Sequence, residues 1–91
     1  LIFAPNAFSP DGDGVNDLFR VKGHHIDQYQ IQILNRWGEE VYRSNDISAG
    51  WNGKKYNLGS DSPVGSYTFR IEYSVYPIQE FFEVGTINLI R

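Results

Sequence analysis

Strict alternation of apolar and polar residues distinguishes residues 66–76 from the rest of the chain. Aromatic and branched side chains occupy every second position there. A period of two indicates a strand with one buried face. The same alternation runs through residues 28–35, and residues 36–39 then turn the chain into residues 40–43. The pattern therefore predicts a β-hairpin followed by a long strand.

Residues 80–90 also resemble a strand, but their apolar side chains fall on both faces. Such a strand is expected to be covered on two sides. Gly85 interrupts it and predicts either a bulge or a close approach of another chain segment. Shorter strands are expected near Phe3, near Phe8 and over residues 18–21.

The segment 44–66 is rich in Asn, Gly, Ser and Asp, which predicts loops. About seven short strands in 91 residues indicate an all-β fold, an antiparallel immunoglobulin-like β-sandwich. A small barrel is the alternative. We expect one domain spanning residues 1–91, because a chain of this length has room for a single core.

Charge and composition exclude several classes of function. The net charge is −3, and the sequence contains no run of Lys or Arg, which argues against nucleic acid as a partner. Cysteine is absent, so neither a disulfide framework nor a thiolate metal site forms. No apolar stretch approaches about 18 residues, which argues against direct membrane insertion. The chain opens without Met and is expected to be a fragment of a longer protein.

An acidic run at residues 11–17 has the composition of a cation-binding turn. Three carboxylates and one amide lie there on a backbone with two glycines. Close carboxylates repel unless a cation or water separates them, and Ca²⁺ takes several oxygen ligands from flexible loops. The predicted Ca²⁺ ligands are Asp11, Asp13, Asn16 and Asp17. The alternative is an Asx-turn loop whose side chains cap local N–H groups.

No set of residues predicts catalysis. A nucleophile needs a base and a group that orients the base, and the two histidines, His24 and His25, are adjacent in one Gly-flanked turn. A solvated loop explains this pair better than a metal site. We therefore expect a protein that is not an enzyme.

Five blocks of sequence follow one another in order: residues 8–17, 35–39, 51–54, 65–69 and 85–91. Together they resemble the gliding motility-associated C-terminal domain, the type B sorting domain of type IX secretion system cargo in Bacteroidetes. The resemblance covers essentially the whole chain. The end of the sequence at Arg91 fits a natural carboxy terminus.

This resemblance implies a targeting function without catalysis. A domain of this kind folds in the periplasm and is recognised by the type IX secretion translocon at the outer membrane. It directs an attached protein to the cell surface or the medium. The resemblance also implies a dedicated outer-membrane β-barrel partner protein.

Two regions are candidates for partner contact, the hairpin turn and the last strand. They contribute Trp37, Gly85, Thr86, Asn88 and Arg91. A competing hypothesis is a surface carbohydrate-binding or adhesive module that uses Trp37, Tyr42 and Trp51, although Trp51 is expected in the core. A Ca²⁺-stabilised spacer of a repeat adhesin is disfavoured, because the chain has no second copy of any segment.

Overall fold

The computed structural model describes residues 2–10, 12, 17–75 and 79–91. Seven strands lie in these ranges: β1 (Ile2–Phe3), β2 (Ala7–Phe8), β3 (Lys22–Gly23), β4 (Ile26–Leu34), β5 (Glu40–Ser44), β6 (Gly65–Val75) and β7 (Gln79–Leu89). A single 3₁₀ turn, Lys55–Asn57, interrupts the loop between β5 and β6. Across the described ranges, no helix has the length and apolar character needed to cross a membrane.

Strands β4 to β7 form the centre of the fold. The larger sheet has the strand order β2-β7-β6-β4-β5. The predicted hairpin is confirmed, since β4 and β5 pair in antiparallel fashion around the turn at residues 35–39. Strands β6 and β7 keep one register from Gly65 opposite Leu89 to Val75 opposite Gln79. These two strands are the longest of the sheet, with 11 residues each.

The remaining strands are short. Strands β1 and β3 form a two-stranded antiparallel sheet of their own. Strand β2 joins the larger sheet beside the end of β7, where Phe8 lies opposite Leu89 in a parallel pair. An all-β, immunoglobulin-like sandwich of seven strands is therefore confirmed, with its strands divided unevenly between a sheet of five and a sheet of two.

Trp51 lies at the centre of the core and is fully buried. Its ring contacts those of Phe8 and Tyr67 at centroid distances of 5.3 and 5.0 Å. The indole N–H donates a 2.7 Å hydrogen bond to the carbonyl of Lys54, which satisfies the buried donor. Phe19 and Trp51 also exchange two backbone hydrogen bonds. Residues 18–21 thus contribute an isolated bridge where a short strand was expected.

A tyrosine fixes the entry to β6. The hydroxyl of Tyr67 donates a 2.6 Å hydrogen bond to the carbonyl of Pro63, four residues upstream. Immunoglobulin-type sandwiches close a corner with the same device. The segment before β6 is therefore tied to the packing of Tyr67 against Trp51.

The expectation that residues 80–90 are covered on both sides is wrong. Phe82 and Val84, on the outer face of β7, are 54% and 58% exposed, whereas Ile87 and Leu89 on the inner face are buried. Among the described residues, the second layer of the sandwich lies on the inner face of the larger sheet. The outer face carries the polar residues of β4 and β6, so the apolar residues of β7 remain at the surface.

Candidate recognition surfaces

The turn between β4 and β5 is held by the side chain of Asn35. Its Oδ1 accepts hydrogen bonds from the backbone N–H groups of Trp37 and Glu39, at 2.9 and 3.0 Å. Its amide also donates to the carboxylate of Glu39. Gly38 has a φ of +82°, a conformation that favours glycine. The turn is consequently well defined even though it projects from the sheet.

Trp37 stands at the tip of this turn. Its side chain is 70% exposed, and the guanidinium of Arg36 lies 4.6 Å from the ring centroid. Such a cation–π contact restrains the indole at an exposed site. The predicted partner residue Trp37 is therefore available at the surface, in a defined orientation.

Arg91 is engaged within the domain. One guanidinium nitrogen donates a 2.5 Å hydrogen bond to the carbonyl of Ser62, and the other lies 3.4 Å from the carbonyl of Gly53. The carboxylate of Asp61 is 3.6 Å from the same second nitrogen. These contacts tie the last residue to the loop before β6. A direct role of Arg91 in partner binding stays a prediction.

The other predicted residues of the last strand differ in the face they occupy. Thr86 and Asn88 are exposed on the outer face of β7, and Asn88 accepts a 3.1 Å hydrogen bond from the hydroxyl of Ser66. Gly85 belongs to the inner face, where the ring of Phe69 packs against it. The predicted close approach at Gly85 is confirmed, and the pairing there shows no bulge. Its role in partner contact stays a prediction.

The structure brings Trp37 and Arg91 to the same end of the sandwich. Trp37 lines a groove of about 380 Å³ together with the loop at residues 60–66. Asp61 and Ser62 of that loop are the residues that hold Arg91. Thr86 lies farther along the outer face, opposite Thr68 of β6. Gly85 lies on the inner face, so the predicted partner residues do not all share one surface.

Three of the four predicted Ca²⁺ ligands, Asp11, Asp13 and Asn16, lie outside the described residues. The fourth, Asp17, accepts a 3.0 Å hydrogen bond from the backbone N–H of Gly12 through its Oδ1. This contact fits the capping alternative, and the Ca²⁺ site stays a prediction. In the described part of the chain, no group of three or more His, Asp or Glu residues is arranged to hold a metal ion. His24 and His25 are both exposed.

A network centred on Glu40 was not predicted. Its carboxylate accepts hydrogen bonds from Arg43 at 2.7 Å, from Gln32 at 2.7 Å and from the hydroxyl of Tyr56 at 2.8 Å. The hydrogen bond from Arg43, above all, lowers the pKa of Glu40. The hydrogen bond to Glu40 raises the pKa of Tyr56. No local motif joins these residues, because they come from β4, β5 and the 3₁₀ turn.

The aromatic residues proposed for sugar binding do not lie on one surface. Trp51 is fully buried and Tyr42 is 6% exposed, while Trp37 projects from the turn. A stacking platform for a sugar needs exposed aromatic faces. Of the three residues that the carbohydrate-binding hypothesis requires, only Trp37 is exposed.

Comparison with known families decides the class of protein. Residues 2–88 match the CHU_C type IX secretion signal domain. The chain belongs to this family. The resemblance to the gliding motility-associated C-terminal domain is thereby confirmed. No match was found among the curated proteins.

As a type IX secretion signal domain, the chain has a role in secretion targeting. Membership also implies interaction with the type IX secretion machinery and export to the cell surface or the medium. Signal domains of this kind are typically non-catalytic.

Proposed function

We propose that this domain is a non-catalytic C-terminal signal that the type IX translocon at the outer membrane recognises after the domain has folded in the periplasm. The observation that supports this proposal is the family match over residues 2–88, which covers both sheets. A dedicated outer-membrane β-barrel protein is the proposed partner. The attached protein reaches the cell surface or the medium as a result.

We further propose that Trp37 contacts this machinery. Tryptophan and arginine are the residues that most often dominate binding energy at protein interfaces. Here an exposed Trp37 and its neighbour Arg36 stand on a turn that Asn35 already fixes. Binding to a turn with a defined conformation costs less ordering entropy than binding to a mobile loop.

The test of the targeting function is a fusion of residues 1–91 to a periplasmic reporter in a cell with a working type IX system. We expect the reporter to reach the surface or the medium. The reporter alone and a strain without the translocon are the controls, and both are expected to retain the reporter in the periplasm. Retention of a folded fusion in the competent strain would refute the proposal.

The role of Trp37 is tested by Trp37→Ala in the same fusion. Leu58→Ala is the matched control, since Leu58 is also a large apolar residue and is 73% exposed. Both variants are expected to melt close to the wild-type temperature, because they remove little buried surface. Reduced export of Trp37→Ala alone supports the contact. Equal export of the two variants would assign recognition to another surface.

A further inference from the structure

Strand β7 has an open edge, which we define as its side away from β6 from Gln79 to Ile87. On that side β2 pairs only with the end of β7, where Ala7 lies opposite Asn88 and Phe8 opposite Leu89. Among the described residues, no other strand borders this side of β7. The opposite side of β7 is paired with β6 along its whole length.

The backbone groups at the open edge have a known direction. The N–H groups of Asn88 and Ile90 donate to the carbonyls of Asn6 and Phe8, at 2.9 and 3.0 Å. Even-numbered residues of β7 therefore direct their N–H and C=O groups away from β6. The unbroken register with β6 carries this alternation back along the strand. The groups of Glu80, Phe82, Val84 and Thr86 consequently point into the open edge.

The side chains of β7 beside the open edge form two rows, one on the outer face and one on the inner face of the sheet, and both could contact an added strand. On the outer row, Phe82 and Val84 are more than half exposed. On the inner row, Glu83 is exposed. A charge on the inward-facing row is a common protection of natural sheet edges against indiscriminate pairing. A strand with a cation opposite Glu83 would overcome that protection.

The charge of the β6–β7 hairpin indicates which charge an added partner strand should carry. The two strands carry three glutamates, Glu72, Glu80 and Glu83, and one arginine, Arg70. A second copy of this chain that paired through β7 would bring its own Glu80 and Glu83 to the edge. Like charges opposite one another destabilise a strand pair, whereas opposite charges stabilise it. The acidic edge therefore favours a basic partner strand over self-association.

We propose that the open edge of β7 binds an extended segment of the secretion machinery by strand addition, and that this segment carries Lys or Arg opposite Glu83 and apolar residues beside Phe82 and Val84. Main-chain hydrogen bonds supply affinity in such complexes, and alternate side chains supply specificity. The assignment of the segment to the secretion machinery rests on the proposed function. The edge and its chemistry follow from the β7 geometry alone.

The test uses the purified 91-residue chain and a display library of random nine-residue peptides. We expect enrichment of peptides that alternate apolar residues with Lys or Arg. Bound peptide should slow hydrogen exchange at the amides of Phe82, Val84 and Thr86. Because no secretion machinery is present, the result is independent of the export assay. Failure to enrich any peptide, or enrichment without a basic bias, would overturn the proposal.

Two sets of variants locate the binding. Val84→Pro removes one N–H from the edge, where proline is tolerated in strands, and Val84→Thr keeps that N–H with a similar shape. Loss of one hydrogen bond is expected to weaken the enriched peptides by roughly tenfold in Val84→Pro. Glu83→Lys should abolish their binding, and Asp27→Lys, at an exposed position of β4, should not. Melting curves establish that each variant is folded.

The export assay then separates the two proposals. Normal export of a folded Glu83→Lys fusion, together with lost peptide binding, would overturn the assignment of the strand to the secretion machinery and leave the targeting function intact. A peptide that binds Val84→Pro and the wild type with equal affinity would show that the open edge of β7 is not the binding site and would refute the proposal. Concentration-dependent dimers that Val84→Pro abolishes would identify a second copy as the occupant and refute the basic strand.

Discussion

The ring of Phe69 on β6 packs against the backbone of Gly85 on β7, its partner across the antiparallel pair. A Cβ atom at Gly85 would overlap the ring of Phe69. The absence of a side chain at this position is therefore part of the core packing. Because Gly85 leaves room for the ring of Phe69, β6 and β7 keep their register at this pair.

Gly85→Ala is accordingly expected to lower the free energy of unfolding by about 1 to 3 kcal/mol, as overpacked cores do. Chemical denaturation measures the change. Thr86→Ala, one residue further and on the exposed face, is the control and should have a small effect. Gly85→Ala combined with Phe69→Leu should cost less than the sum of the two single changes. Additive losses would show that the methyl group and the ring do not compete for the same space.

Arg91→Ala is expected to lower the free energy of unfolding by about 1 to 2 kcal/mol, since it removes charged hydrogen bonds to the carbonyls of Ser62 and Gly53. The free energy of unfolding of Arg91→Lys should lie between those of Arg91→Ala and the wild type, because lysine keeps the charge without the planar guanidinium. The control is Arg36→Ala, which removes an exposed guanidinium from the turn. An unchanged melting temperature for Arg91→Ala would contradict this structural role.

The stability of the domain is expected to fall as the pH drops below about 5, partly through Glu40. The pKa of Glu40 is lowered in the folded state, so the unfolded state takes up a proton first and gains population as acid is added. Glu40→Gln should therefore lose less melting temperature between neutral and acidic pH than wild type does. Glu80→Gln, at an exposed position of β7, is the control. Parallel pH profiles for Glu40→Gln and wild type would exclude this contribution.

Calcium should raise the melting temperature if the acidic run at residues 11–17 binds it. A ligand at about 100 times its dissociation constant adds about 2.7 kcal/mol to the stability of the native state. Melting curves in millimolar Ca²⁺ and in chelator measure the difference. Asp13→Asn should reduce the shift, and Asp27→Asn, on β4, should preserve it. If the wild-type melting curves in Ca²⁺ and in chelator superimpose, the Ca²⁺ site is refuted and the capping of local N–H groups remains as the role of these side chains.

The main strands could be predicted because their signal is local. Alternation gave β6 and the β4–β5 hairpin to within a few residues, since a period of two reports directly on the two faces of a strand. Gly85 was also informative, because a glycine within a strand indicates that something lies close to its backbone. The family resemblance rested on five blocks of sequence in order, of which residues 35–39 form the β4–β5 turn and residues 65–69 begin β6.

What could not be predicted depends on contacts between distant residues. Phe82 looks like a core residue in sequence, and only the arrangement of the layers shows that its face of the sheet is open. The carbonyls that hold Arg91 belong to residues 53 and 62, and no pattern within either segment marks them as its partners. The network of Glu40 likewise joins three separate elements.

The pairing of Phe8 with Leu89 has a consequence for the order in which the fold is completed. It joins residues 8 and 89, so nearly the whole domain must be present before β2 has a strand partner. Contacts of such long range form only after a large loop has been closed, which is the slow step for sheets of this kind. A chain that stops short of β7 leaves Phe8 without its strand partner and β6 without its longest neighbour. The larger sheet can therefore be completed only after β7 has been synthesised.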